Sequence, residues 1–273
     1  MSVVFLLFSC EAKHDKQQPG KTSNADTVVQ RKPDSVPAKT DSLEHLAAKM
    51  VASAESYRND GNTEAEGIFI DAFVEALKKP KAFETDFANL KKYEIKVLTA
   101  DDGKLRVFYW LSPYSGSMWH VQNIVQYKDE NYAVSAISFN DLYEDKDDEG
   151  SPTPFFEHIY ALNTSPQKTY LLTGYGQMSG TEPYSVSHTL VIDHAKFSIN
   201  KALFKTGKAV KTQLFASAEL KEDQDKEKLI AQLAITYNPG GKTISYPEVN
   251  ETKDGSVLTG KRNILTFRDG MFK

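Results

Sequence analysis

The stretch LRVFYWLSPYSGSMWHVQNIVQYKDENYAVSAISF, Leu105 to Phe139, decides how the chain is built. It holds both tryptophans, Trp110 and Trp119, and apolar runs of period two separated by short polar turns. Leu105, Val107, Tyr109 and Leu111 share one face of the first run, while Phe108 and Trp110 take the other. A strand that is apolar on both faces has to be covered on both. The stretch therefore predicts a three-stranded antiparallel meander inside a layered, β-rich domain. Just ahead of it, Asp101-Asp102-Gly103 reads as a hairpin turn, with glycine where positive φ is needed, joining a strand over 94–99.

Before the meander the apolar period is that of a helix. Leu43, Leu46, Ala47, Met50, Val51, Ala54 and Tyr57 fall on one face of a helix running from Ser42 to about Asn59, capped by Asp41 with Glu44. Thr63 with Glu66 reads as a capping box that opens a second helix, with Phe69, Phe73, Ala76 and Leu77 on one face. Phe83, Phe87 and Leu90 are in register for a short third. These stripes are core-facing and supply the cover for one face of the sheet. After the meander, strand character returns at 156–162, 169–176, 185–192, 210–216, 229–237, 243–246, 256–258 and 263–267, with 174–184 read as a flexible loop. No constant repeat runs through them, so a propeller or solenoid is not expected. The fold class is thus α+β, predominantly antiparallel β. Helices of 41–92 pack on a β-sandwich or partly closed barrel formed by 93–273, the two making one unit.

The N-terminal residues read differently. The opening MSVVFLLFSC has a short apolar run and then Leu7-Phe8-Ser9-Cys10, similar to the end of a bacterial lipoprotein signal. Cys10 is the expected lipidation site. The run is short and no Lys or Arg precedes it, which places the expected start upstream of Met1. Residues 11–40, interrupted by Pro19, Pro33 and Pro37, have too little apolar surface to offset their ordering entropy and read as a disordered polar tether. Asp26-Thr27-Val28, Asp34-Ser35-Val36 and Asp41-Ser42-Leu43 are similar to the acceptor tripeptides of O-glycosylation in Bacteroidetes, although linker composition explains them equally well. The expected partner is a membrane, reached through the acylated cysteine, and the expected location is the cell envelope, at the outer membrane. A net charge of −4, with Lys and Arg scattered among Asp and Glu, argues against nucleic acid.

Candidate sites are few. Tyr109, Trp110, Tyr114, Trp119 and His120 surround the Ser112–Ser117 turn and form a candidate platform for sugars or apolar ligands, with Tyr184 as a further contact; packing of the tryptophans in the core is the favoured alternative. Asp145, Asp147 and Glu149 hold the first, third and fifth places of an EF-hand-like loop, with Gly150 in the sixth. The twelfth place is Phe156, so calcium is a weak alternative to a solvated charge run and no cofactor is expected. The histidines make no ligand set, and neither a nucleophile elbow nor a phosphate cradle is present.

The pattern Asp101-Asp102-Gly103-Lys104-Leu105-Arg106-Val107-Phe108-Tyr109-Trp110, the turn Gly116-Ser117-Met118, Val125-Gln126-Tyr127-Lys128 and the closing LTGKRNILTFRDGMFK, Leu258 to Lys273, resemble a family of Bacteroidetes envelope lipoproteins with no assigned activity. Leu111 stands where that family commonly has Asp. The resemblance spans roughly 68–273 and implies export and a β-rich fold. The expectation for function is a lipid-anchored, non-enzymatic module that binds an envelope ligand or partner. The alternatives are a hydrolase using Glu157, Glu182 or His188 from loops, and a structural subunit of an outer-membrane assembly.

Overall fold

The computed structural model describes residues 42–273 except 61, 132, 143–152, 163–166, 200, 223 and 254. Cys10, the tether, the three tripeptides and the acidic run with Asp145, Asp147 and Glu149 lie wholly or partly outside the described residues. Two helices open the described residues, α1 (Leu43–Asp60) and α2 (Glu64–Leu77), followed by 3-10 turns at Ala82–Glu84 and Ala88–Tyr93. The meander comes next: β1 (Lys96–Thr99), β2 (Leu105–Leu111), β3 (Val121–Lys128) and β4 (Val134–Ser138) form one antiparallel sheet in sequence order.

A second sheet holds β5 (Phe155–Leu162), β6 (Lys168–Ser179), β7 (Glu182–Asp193), β8 (Lys196–Ile199) and β11 (Leu214–Ser217). Its outer strand positions are shared: β7 pairs β11 through Tyr184–Ser187 and β8 through Leu190–Asp193. The third sheet has the order β10-β9-β15-β14-β13-β12, from β9 (Phe204–Thr206), β10 (Ala209–Lys211), β12 (Thr236–Asn238), β13 (Thr243–Thr252), β14 (Gly255–Arg268) and β15 (Met271–Phe272). Pairing is antiparallel except between β9 and β15. All three sheets are open, so the sandwich reading holds and no barrel closes. No helix among the described residues is long and apolar enough to cross a membrane.

The layers follow from the two-faced strands. On one side of the meander, Leu105, Val107, Val125 and Tyr127 pack against Phe156, Ile159, Tyr170, Leu172, Leu190 and Ile192 of the second sheet. On the other, Phe108, Trp110, Ile124 and Ala136 receive Ala47, Met50, Phe69, Phe73 and Leu77 from the helices. Burying one such side chain is worth about 1.5–3 kcal/mol, so the helices are held by their apolar stripe rather than by intrinsic propensity. The second sheet is itself covered twice, since Leu162 and Leu171 point into a cluster with Phe204, Leu214, Ile244 and Phe272. The turn at Asp101-Asp102-Gly103 is as expected, with Gly103 at φ +66°. Asp102 Oδ2 accepts from the Tyr170 hydroxyl at 2.8 Å and so ties the two sheets together.

Several local expectations fail for identifiable reasons. The run 229–237 is not one strand but α3 (Lys226–Leu233) followed by β12. Asp225 Oδ1 caps it, accepting from Glu227 N at 2.9 Å and Lys228 N at 3.2 Å, and Leu229 and Leu233 are buried one turn apart. The run 210–216 divides between β10 and β11 in different sheets. The third helix is the pair of 3-10 turns, with Phe87 in the left-handed region between them. The loop at 174–184 is a hairpin, because β6 and β7 run together to a turn at Gly180–Thr181. After the turn the next meander strand begins only at Val121, leaving Met118, Trp119 and His120 in the preceding loop. Lastly, Thr63 makes no side-chain cap; Asn62 Oδ1 accepts from Glu64 N at 2.8 Å in its place. Glu66 is thereby free of the capping role and turns inward.

Candidate ligand-binding cleft

Glu66 is 5% exposed at the first turn of α2, and its carboxylate meets three neutral donors. Trp110 Nε1 donates to Oε1 at 3.2 Å, and Ser112 Oγ and Gln122 Nε2 donate to Oε2 at 3.0 and 3.1 Å. This node fixes the start of the Ser112–His120 loop. Tyr114 anchors it further, with its hydroxyl paired to Ser53 Oγ and donating to Met50 O at 3.4 Å on α1. The far end of the loop is tied to the second sheet: Trp119 N donates to Gln177 O at 3.0 Å, and Gln177 Nε2 to Ser117 O at 2.7 Å. The loop bridges the two sheets and is held at both ends.

Desolvation pushes the Glu66 carboxyl above its ordinary value, and the donors offset that only in part. The folded protein therefore holds this proton more tightly than the unfolded chain does. Stability from this group is full below the ordinary carboxylate pKa and is lost as pH rises through the raised one. Glu66→Gln is expected to gain stability relative to the parent as pH is raised from 4 through the carboxylate range. Urea unfolding at successive pH values measures the difference, in which the other carboxylates cancel. Glu66→Ala, which strands the Trp110 indole N–H, is expected to cost about 1–3 kcal/mol at neutral pH. A Gln difference that is flat with pH would rule out the titration.

The loop delivers Trp119 to a group of half-buried rings. Phe155 at the start of β5 and Tyr175 on β6 stand opposite each other in register, with centroids 6.0 Å apart. Trp119 meets Phe155 edge-on at 5.6 Å and Tyr175 at 6.3 Å, and Tyr109 of β2 meets Phe155 at 5.9 Å. All four are partly exposed, unlike the core aromatics below them. Glu157 stands beside them on β5. Burial, followed by the negative charge of Glu157, raises the phenol pKa of Tyr175; burial, then Tyr175 and Glu157, raise that of Tyr109. Although Glu157 is exposed as a residue, desolvation lifts its carboxyl above the ordinary value. Lys226, the first residue of α3, holds its ammonium 5.5 Å from the Trp119 ring and donates to Gln177 Oε1. The result is a half-buried group of aromatic rings with a carboxylate, Glu157, and an ammonium, Lys226, at its edge.

Of the platform read from sequence, Tyr109 and Trp119 are in this cleft, and His120 is exposed beside it. The other members are corrected. Trp110 is 1% exposed among Phe69 and the helix–sheet core, with its N–H taken by Glu66. Tyr114 is buried against α1. Tyr184 is 1% exposed and stacks on Phe215 at 5.5 Å. Phe155, Tyr175 and Lys226 were not legible, since nothing local shows that β5, β6 and α3 meet the loop there. The residues considered for hydrolysis do not converge. His188 is buried between Phe139 and Phe156 at 5.8 and 6.0 Å, while Glu157 is exposed. Glu182 accepts from Ser217 Oγ at 3.1 Å, six positions before His188 on one strand, which is about 20 Å of chain. Among the described residues no group of three or more His, Cys, Asp or Glu could hold a metal. Compared with known proteins, the chain matches no family model, no curated protein and no solved structure.

Proposed function

We propose that this protein is a non-enzymatic ligand-binding module of the cell envelope, anchored at the outer membrane through acylated Cys10 and held off the lipid by residues 11–40. The lipobox-like Leu7-Phe8-Ser9-Cys10 and the resemblance to Bacteroidetes lipoproteins support the anchor. The observation that carries the binding role is the half-exposed cluster of Tyr109, Trp119, Phe155 and Tyr175. Aromatic faces take the C–H faces of sugars, and the polar groups of Glu157 and Lys226 orient hydroxyls. Lys226 lies over Trp119, but such a cation–π contact is worth only about 0.5–1 kcal/mol at an exposed site. A ligand ring displaces it at little cost. The ligand class is therefore an envelope glycan.

Trp110 is buried and Trp119 is not, so the two tryptophans separate in one experiment. Iodide is expected to quench Trp119 alone, with Trp119→Phe leaving only unquenched, blue-shifted emission. Soluble muropeptides or lipopolysaccharide core oligosaccharides are expected to protect Trp119 from iodide in the parent. Absence of protection by both would sink the glycan reading. In the native host, Cys10→Ala is expected to move the protein from the membrane to the soluble fraction; unchanged partitioning would remove the anchor.

A further inference from the structure

A second concave surface is lined by a different set of residues. A groove of about 690 Å³ runs between α3 and the β13–β14 hairpin. Its volume falls within the range of about 300–1,000 Å³ usual for small-molecule sites. Val257, 38% exposed, and the half-buried Leu258 supply apolar surface, over the buried Leu229. Around them the lining carries four basic residues, Lys221, Lys228, Lys261 and Arg262, against two acidic ones, Glu219 and Asp225. That local balance is opposite in sign to the net charge of −4 of the whole chain.

The charges are not equivalent. Arg262 is spent on structure, donating to Gln232 O at 3.1 Å, Ala234 O at 2.6 Å and Ser245 O at 3.1 Å, which fastens the end of α3 to β13. Asp225 is spent as the helix cap, and Glu219 accepts from Thr181 Oγ1 at 3.5 Å. The ammonium groups of Lys221, Lys228 and Lys261 enter no ion pair among the described residues. Three lysines with no ion pair among the described residues therefore rim a partly apolar trough, and with Arg262 they outnumber the two carboxylates of the lining. Such an arrangement attracts an anion and rewards an attached hydrocarbon chain.

We propose that this groove binds an anionic amphiphile, its carboxylate or phosphate head among Lys221, Lys228 and Lys261 and its acyl chain along Val257 and Leu258. A free fatty acid and a lysophospholipid share that chemistry. The groove shares no lining residue with the aromatic cleft and does not depend on its reading.

Calorimetric titration of the full chain with laurate and with lysophosphatidic acid, both below their micellar concentrations, tests it. One saturable site is expected for either or both, and which binds more tightly distinguishes the two sources. The double variant K228E/K261E, whose altered residues are exposed, is expected to weaken binding at least about tenfold, roughly 1.4 kcal/mol, with an unchanged melting temperature. Trp119→Phe is expected to leave binding as it was. Inorganic phosphate and the uncharged dodecyl maltoside are expected to bind at least about tenfold more weakly than laurate. The proposal is overturned if neither amphiphile saturates, if charge reversal has no effect, or if phosphate alone binds as well. Binding to anionic vesicles without binding to either monomer would also overturn it, in favour of a membrane-facing surface.

Discussion

Gly174→Ala is expected to lower stability by about 3 kcal/mol, at the upper end of what overpacking usually costs. A Cβ built on Gly174 would lie 2.2 Å from the carbonyl oxygen of Phe155, 2.9 Å from its carbon and 3.0 Å from the Phe156 Cα. All three are backbone atoms, so no side chain can swing away to make room. The start of β5 would have to move, next to the register shift between Phe156 and His158. Phe156 would then leave the core between the sheets, and Phe155 would leave the aromatic cleft. For a domain of this size the loss corresponds to about 6–12 °C in the melting temperature, read by circular dichroism. The same variant is expected to make Trp119 more accessible to iodide. A melting point within a degree or two of the parent would show that the strand yields freely.

The second large effect is expected at Arg106, which is 8% exposed and has no carboxylate bonded to it among the described residues. Its guanidinium donates instead to Ala82 O at 2.8 Å, Thr85 O at 2.9 Å and Gln126 Oε1. Phe83 and Phe108 flank it at 4.5 and 5.1 Å. Gln126 in turn donates to Leu77 O at 2.8 Å, at the end of α2. One planar fork thus collects the carbonyls where the chain turns from helix to sheet. Arg106→Met leaves those acceptors without donors and is expected to cost about 3 kcal/mol in urea unfolding. Arg106→Lys is expected to recover less than half, because a single ammonium cannot span the fork. Full recovery with lysine would show that charge alone suffices.

How much of this was legible depends on where the information lies. The two faces of β2 were readable because Phe108 and Trp110 alternate with Leu105 and Val107 within one run. The helices were readable from Phe69, Phe73 and Leu77 at helical spacing, all now buried. At α3 the residues Leu229, Ala231, Leu233, Ile235 and Tyr237 also alternate, and the period-two pattern hid the helical pair Leu229 and Leu233. The Asp225 cap was the overlooked signal. For Glu66, a sound local motif lost to tertiary demand, since Trp110, Ser112 and Gln122 are donors that needed an acceptor. The cleft was only half readable. Tyr109 and Trp119 flank the turn in sequence, whereas Phe155, Tyr175 and Lys226 arrive from distant segments.

The covered meander also sets an order on how the molecule is made. Its helix-facing side can close as soon as residues up to Ser138 exist, because α1 and α2 precede it in the chain. Its other side, with Leu105, Val107, Val125 and Tyr127, waits for Phe156 through Ile192. A chain synthesised or translocated from its N-terminus therefore passes through a stage with one finished apolar sheet face bare to water. At about 5–20 residues per second that stage lasts several seconds, long enough for self-association. The interval between β4 and β7 is when this face is most open to association.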